Sequence, residues 1–198
     1  VATRRILSVG MVFLSLATLG CGAAYKAREA AQTAQRQSQL KIMGLGLLSY
    51  CDAHGEEFPR NIVDDSGKPL MSWRVELLPM LEYHHIYQQL KRDEPWNSSH
   101  NAPLLAQVDP RLFAANPATP DGNADMLAVI GPKFGFSPNE TAGPEGVTVG
   151  NVSDGMSYTV FVVEVDPKQS VPWARPDDYV WDGAKPQAGL GHADQDFI

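Results

Sequence analysis

Cysteine is scarce in this chain: Cys21 and Cys51 are the two thiols in 198 residues, too few for a disulfide framework. If one helix joins them, they stand roughly 45 Å apart, against a Cα separation of about 7 Å that a disulfide tolerates. A continuous helix therefore forbids their pairing. Positive charge is thin as well. The net charge is −7, and no basic stripe offsets it, which excludes binding to a phosphate backbone. No Cys-x-x-Cys, His-Glu-x-x-His or Gly-x-Ser-x-Gly occurs, and Gly189-Leu190-Gly191 follows no strand signal. Metal-site, nucleophile-elbow and phosphate-loop signatures are therefore absent. Internal repeats and low-complexity tracts are missing too.

What the chain does have begins at its N-terminus. Arg4 and Arg5 precede ILSVGMVFLSLATLGCGAA, residues 6–24, an uncharged and mostly apolar run of about the length that spans a bilayer as helix. Three readings compete: a retained anchor, a cleaved secretory signal, or a lipoprotein signal ending at Cys21. The anchor is favoured, because Thr18 and Leu19 fit a lipoprotein signal poorly. The Arg pair then places residues 25–198 outside the cytoplasm.

Residues 25–54 read as one long helix, free of proline and stopped at Gly55. Residues 25–39 have Ala as nearly their only apolar residue and suit a solvated stalk. Leu40, Met43, Leu47, Tyr50 and Cys51 recur at helical spacing and require a partner surface. Gly44 and Gly46 weaken that half by about 1 kcal/mol each against Ala.

Farther on, the Asp64–Gly67 stretch signals a turn. Residues 72–93 read as two short helices, or one restarted at Pro79, inserted against one side of the core. The apolar run 126–131 predicts a strand, and two β-rich segments flank Asp154-Gly155. Of these, Tyr158–Val165 carries the strongest strand signal. The order is α+β.

The polar cluster DEPWNSSHN, residues 93–101, poses a choice between catalysis and staple. Pro95 fixes the backbone before Trp96, and Asn97–Ser99 can cap a helix starting near His100, leaving Asp93 and Glu94 as a solvated rim. The staple is the expected answer. Trp173 has similar surroundings, with Arg175 paired to Asp177 or Asp178. Asp121, Asn123 and Asp125 open like a calcium loop, but Met126 stands where Gly is required and Pro132 where Glu closes the loop. A polar turn is expected there. His84 and His85 point about 100° apart on a helix. Cys51, on the packed helix face, is expected to be inert. An enzymatic site would need His100 or His192 beside an acid in a cleft.

Several stretches, KAREAA (26–31), LKIMGLGLLSYCDAHGEEFP (40–59), SWRVELLPMLE (72–82), DEPWNSSHN (93–101), VSDGMSYTVFVVEV (152–165), VPWARPDDY (171–179) and LGH (190–192), together resemble domain-of-unknown-function family 1559. Members are abundant in planctomycetes and often carry prepilin-type N-termini. The resemblance implies a pilin-like fold, with a long N-terminal helix packed on a small antiparallel sheet. Gly10-Met11 imitates the prepilin cleavage site, but Ser15 occupies the place of its Glu, and Arg36 stands where members often have Cys.

The expected organisation is an anchor or signal segment at 1–24, a long helix at 25–54, and an α+β head at 55–198 that stops short at its C-terminus. The expected role is a non-enzymatic, membrane-tethered extracytoplasmic protein of structural or interaction type. It would contact the membrane through residues 6–24, and other pilin-like subunits are its candidate protein partners. The alternatives are a lipoprotein anchored at Cys21 and a small-solute or glycan binding module. The latter would use Trp73, Trp96, Trp173 and Trp181 as stacking surfaces. No cofactor is expected.

Overall fold

The computed structural model describes residues 2–130, 148–152, 155 and 159–191, with side chains from Ala24 onward. The chain forms two compact units, residues 1–37 and 38–198.

Helix α1 runs from Ala2 to Ala53. No proline interrupts it. Gly55 takes a positive φ of 65° and Glu56 follows at 68°, while the Glu56 amide turns back to the Cys51 carbonyl at 2.8 Å. The left-handed turn closes the helix at the expected glycine. Within residues 24–37 nearly all side chains are exposed, as their alanine-rich composition requires. Among the described residues, no helix is long and apolar enough to cross a membrane; the run 6–24 lies almost wholly outside the described side chains.

From Ser38 onward α1 belongs to the second unit. Met43, Leu47 and Cys51 are buried there and Tyr50 is half-buried. Leu40 departs from the expected pattern and is exposed. The packed stripe is therefore one turn shorter than its spacing predicts.

The 3₁₀ helix Trp73–Leu81 corrects a larger expectation. Rather than covering the core, it is the core: Trp73, Val75, Leu77 and Leu78 have no exposed surface. At about 1.5–3 kcal/mol per buried large side chain, this segment outweighs any other of its length. Ser72 starts it by accepting the Arg74 amide, and Pro79 is tolerated inside it. A second short helix, α2 (His84–Tyr87), follows.

Two-residue and three-residue strands surround this helix. β1 (Ile62–Val63) and β2 (Pro69–Met71) pair antiparallel across the Asp64–Gly67 turn, where the Gly67 amide donates to Asp64 at 2.9 Å. β4 (Met126–Ile130) is the central strand of a three-stranded sheet. β5 (Val162–Glu164) pairs with it antiparallel and β7 (Tyr179–Val180) parallel. β3 (Asn123–Ala124) pairs antiparallel with β6 (Val171–Pro172). Met126, Leu127, Ala128 and Val129 are all buried, so β4 reads as a continuous apolar run because both of its faces are covered. The architecture is α+β, but among the described residues its sheets are three small ones, and one pairing is parallel.

The two β-rich segments expected to flank Asp154-Gly155 are described only in part. Asp154 lies outside the described residues; Thr148 makes an isolated bridge to Glu57, and residues 149–151 form a 3₁₀ turn. The strand expected over Tyr158–Val165 is three residues long, with Tyr158 outside the described residues. Its partner is β4, which lies far earlier in the chain.

Candidate functional site

Arg74 and Asp178 are charged groups sealed from solvent. Neither side chain has exposed surface, and their ion pair closes at 2.8 Å. Asp178 Oδ1 also accepts the Trp73 indole N–H and the Ala128 amide, each at 3.0 Å. Arg74 donates to the Met126 carbonyl at 3.2 Å and to Ser72 Oγ at 2.7 Å. Burial pushes the Asp178 carboxyl above the ordinary carboxylate range, against the pull of Arg74. Burial likewise lowers the Arg74 guanidinium. Such shifts often mark an active site. Here no substrate can reach them, so the pair is structural: it ties the 3₁₀ helix, β4 and the strand entering β7 together.

Asp125 plays the same part in the loop before β4. Fully buried, it accepts the amides of Ala115 at 2.7 Å and Asn116 at 2.8 Å, and the Thr119 hydroxyl at 2.6 Å. Both carboxylate oxygens are used. DGNAD is thus a turn at Asp121–Gly122 that runs into β3, with Asp125 spent on hydrogen bonds; among the described residues no group of His, Cys, Asp and Glu could hold a metal ion.

DEPWNSSHN is a staple whose pin is its last residue. Asn101 is buried; its side chain accepts the Lys91 amide and donates to the carbonyls of Lys91, Glu94 and Pro95. Ser98 Oγ accepts the Asn101 amide at 3.0 Å at the start of α3 (Asn101–Leu105), whose N-cap residue His100 makes no side-chain cap bond. His100 donates to the Gln89 carbonyl and has no acid as ring partner. Lys91, bonded to Glu94 at 2.9 Å, holds that exposed carboxyl below its usual range. His192 lies outside the described residues.

The four tryptophans do not form one shelf. Trp73 is fully buried, and Trp173 is buried in a stack with Phe113 at 4.9 Å. Neither offers a face to a ligand. Trp96 and Trp181 are half-buried against the core, their amides held by Leu70 and Ile130 respectively. Arg175 pairs with Asp177, which leaves Asp178 for Arg74. The Cys21 side chain lies outside the described residues. Cys51 is buried, and burial raises its thiol above the usual range, so it is unreactive in the folded chain.

What remains open is apolar. Leu40, Met43, Gly44, Leu47 and Leu48 of α1 form one wall of a groove of about 520 Å³, and Phe58, Thr159, Val160, Phe161 and Val162 form the other. Phe58 and Phe161 stack at 5.2 Å. Among the described residues no charged side chain lines it. Leu48 in that wall and Leu45 next to it are 49% and 56% exposed, and Leu40 and Ile42 of the same helix are exposed as well. Sequence spacing predicted the buried stripe of this helix and missed the exposed one, although Leu45 and Leu48 lie off the buried stripe in the linear sequence. Contiguous exposed apolar surface of this kind marks an interaction site or a ligand groove.

On the other side of α1, Tyr50 sits near Glu76, whose carboxylate accepts the Tyr87 hydroxyl at 2.7 Å and pairs with Arg92. Burial, reinforced by Glu76, pushes the Tyr50 phenol up to about 12. The folded chain therefore holds Tyr50 neutral where the unfolded chain ionises it, near pH 10. The stability it contributes is complete below pH 10 and is lost as pH rises towards 12. Denaturation midpoints of the unaltered chain should fall across that window more steeply than those of Tyr50→Phe. Parallel curves would refute the assignment.

A family model described as a protein of unknown function (DUF1559) matches residues 25–148, more than half of the chain. No curated protein and no solved structure matches it. The matched stretch contains the packed half of α1, the buried 3₁₀ helix, the Asn101 staple and β4.

Proposed function

This chain belongs to the DUF1559 family of proteins of unknown function, and on that premise we propose that it is a membrane-tethered extracytoplasmic protein, pilin-like in arrangement, with a structural or interaction role and no enzymatic activity. One observation carries this reading. Residues 38–53 of α1 bury Met43, Leu47 and Cys51 under the head while Leu45 and Leu48 of the same helix stay exposed. Apolar helix surface left over after the core is complete suits association better than turnover. The uncharged run 6–24 behind Arg4 and Arg5 supports the tether.

Fractionation followed by mass spectrometry of the mature N-terminus tests the tether. Intact residues 1–24 in the inner membrane are expected. Acylation at Cys21 would make the chain a lipoprotein, a start at Met11 would restore prepilin processing, and a soluble product starting near residue 25 would end the tethered reading. A binding module is the second reading, favoured by the groove, whose volume falls within the about 300–1,000 Å³ of ligand sites. Its lining selects an apolar solute over a glycan, because Thr159 is its one polar side chain among the described residues.

A further inference from the structure

We propose that the exposed stripe Lys41–Leu45–Leu48–Asp52 of α1 is the contact for a second copy of this chain, packed antiparallel about a two-fold axis between Leu45 and Leu48. The spacing of four, three and four residues puts all four side chains on one strip of the helix, turned away from the buried Met43 and Leu47. All four are exposed.

Three features point to this occupant. Read backwards, the strip is the same strip with its charges exchanged. A two-fold axis therefore sets Lys41 against Asp52 of the second copy and Leu45 against its Leu48, then repeats both contacts. Parallel pairing in register would set Lys41 against Lys41. Charge thus selects the antiparallel form. The second feature is Gly44. A Cβ placed there meets nothing within 4 Å, whereas one at Gly46 would touch Leu81 at 3.5 Å. Gly46 has a packing reason inside the chain. Gly44, which costs about 1 kcal/mol in a helix, lines the groove and meets no packed atom among the described residues. The same two-fold axis exchanges Gly44 with Ser49, so two small residues flank the leucine contact and let the helix axes approach to about 8 Å. The third feature is position. The strip faces away from the core, so each head lies on the outer side of its own helix.

This contact goes beyond the tether reading and does not depend on it. The two-fold axis reverses chain direction, so Ser38 leaves the contact at opposite ends in the two copies.

Carbodiimide cross-linking of the full chain in detergent micelles tests it. Lys41 and Asp52 of one helix are about 16 Å apart along the axis, beyond zero-length coupling, so any 41–52 amide joins two copies. Its detection by mass spectrometry is expected. Lys41→Asp alone or Asp52→Lys alone should weaken self-association several-fold in sedimentation, and the double exchange should restore it. Circular dichroism of each variant controls for folding, which these exposed positions should not disturb. The proposal is overturned if association ignores the single reversals, as it would when residues 6–24 or a parallel pairing drive it. It is equally overturned if the chain stays monomeric up to about 1 mM.

Discussion

Asp178→Ala lowers folding stability by about 3–5 kcal/mol, because it strands a guanidinium in the core. Arg74 would keep its bonds to Met126 and Ser72 but lose its counter-charge. The Trp73 indole and Ala128 amide would lose their acceptor as well. For a chain of this length the loss should appear as a fall in melting temperature of roughly 10 °C. The double replacement Arg74→Met with Asp178→Leu should recover most of it, since apolar side chains of similar volume often replace a buried ion pair at little cost. Thermal and urea denaturation of the two variants measures both effects. A double variant no more stable than Asp178→Ala would mean that the polar contacts, and not the pairing of charge, hold this junction together.

Asp125→Ala should cost about 3 kcal/mol, the second largest expected effect. Hydrogen bonds to a charged acceptor contribute roughly 1.5–3 kcal/mol each, and donors left buried add their desolvation. The Ala115 and Asn116 amides would both lose their acceptor. Asp125→Asn should fall between, because its amide group presents a donor where one of those donors must be received. Calcium should leave the melting temperature of the unaltered chain unchanged, since both Asp125 oxygens are occupied. A calcium-dependent rise that disappears in Asp125→Asn would restore the metal reading of DGNAD.

Much of the local structure was legible in the residues. Gly55 ended α1, the Asp64–Gly67 turn formed, Ser98 accepted the Asn101 amide at the start of α3, and 126–130 became a strand buried on both faces. Each depends on contacts a few residues apart or on an apolar run long enough to identify itself. The 3₁₀ helix was misplaced for a physical reason. A segment holding Arg74, Glu76 and Pro79 reads as a surface element unless the counter-charge is known, and Asp178 lies more than a hundred residues later. β7 was equally hidden, because a two-residue strand that only begins at the last residue of VPWARPDDY gains its order from β4. Of the apolar surface, the groove could not be read, since half its lining comes from Phe58 and residues 159–162.

The sequence by itself determined the α+β order, the long proline-free helix with its apolar half, the excess negative charge and the family to which the chain belongs. Periodicity, turn residues and charge balance are properties of neighbouring residues, so no fold is needed to see them. Tertiary structure alone decided that Arg74 and Asp178 meet out of water, that β7 joins β4 in parallel, and that Leu45 and Leu48 remain uncovered when the core is full. Those outcomes depend on which distant surfaces exclude water from one another. Helix periodicity states that an apolar face exists; only packing states whether the chain itself covers it.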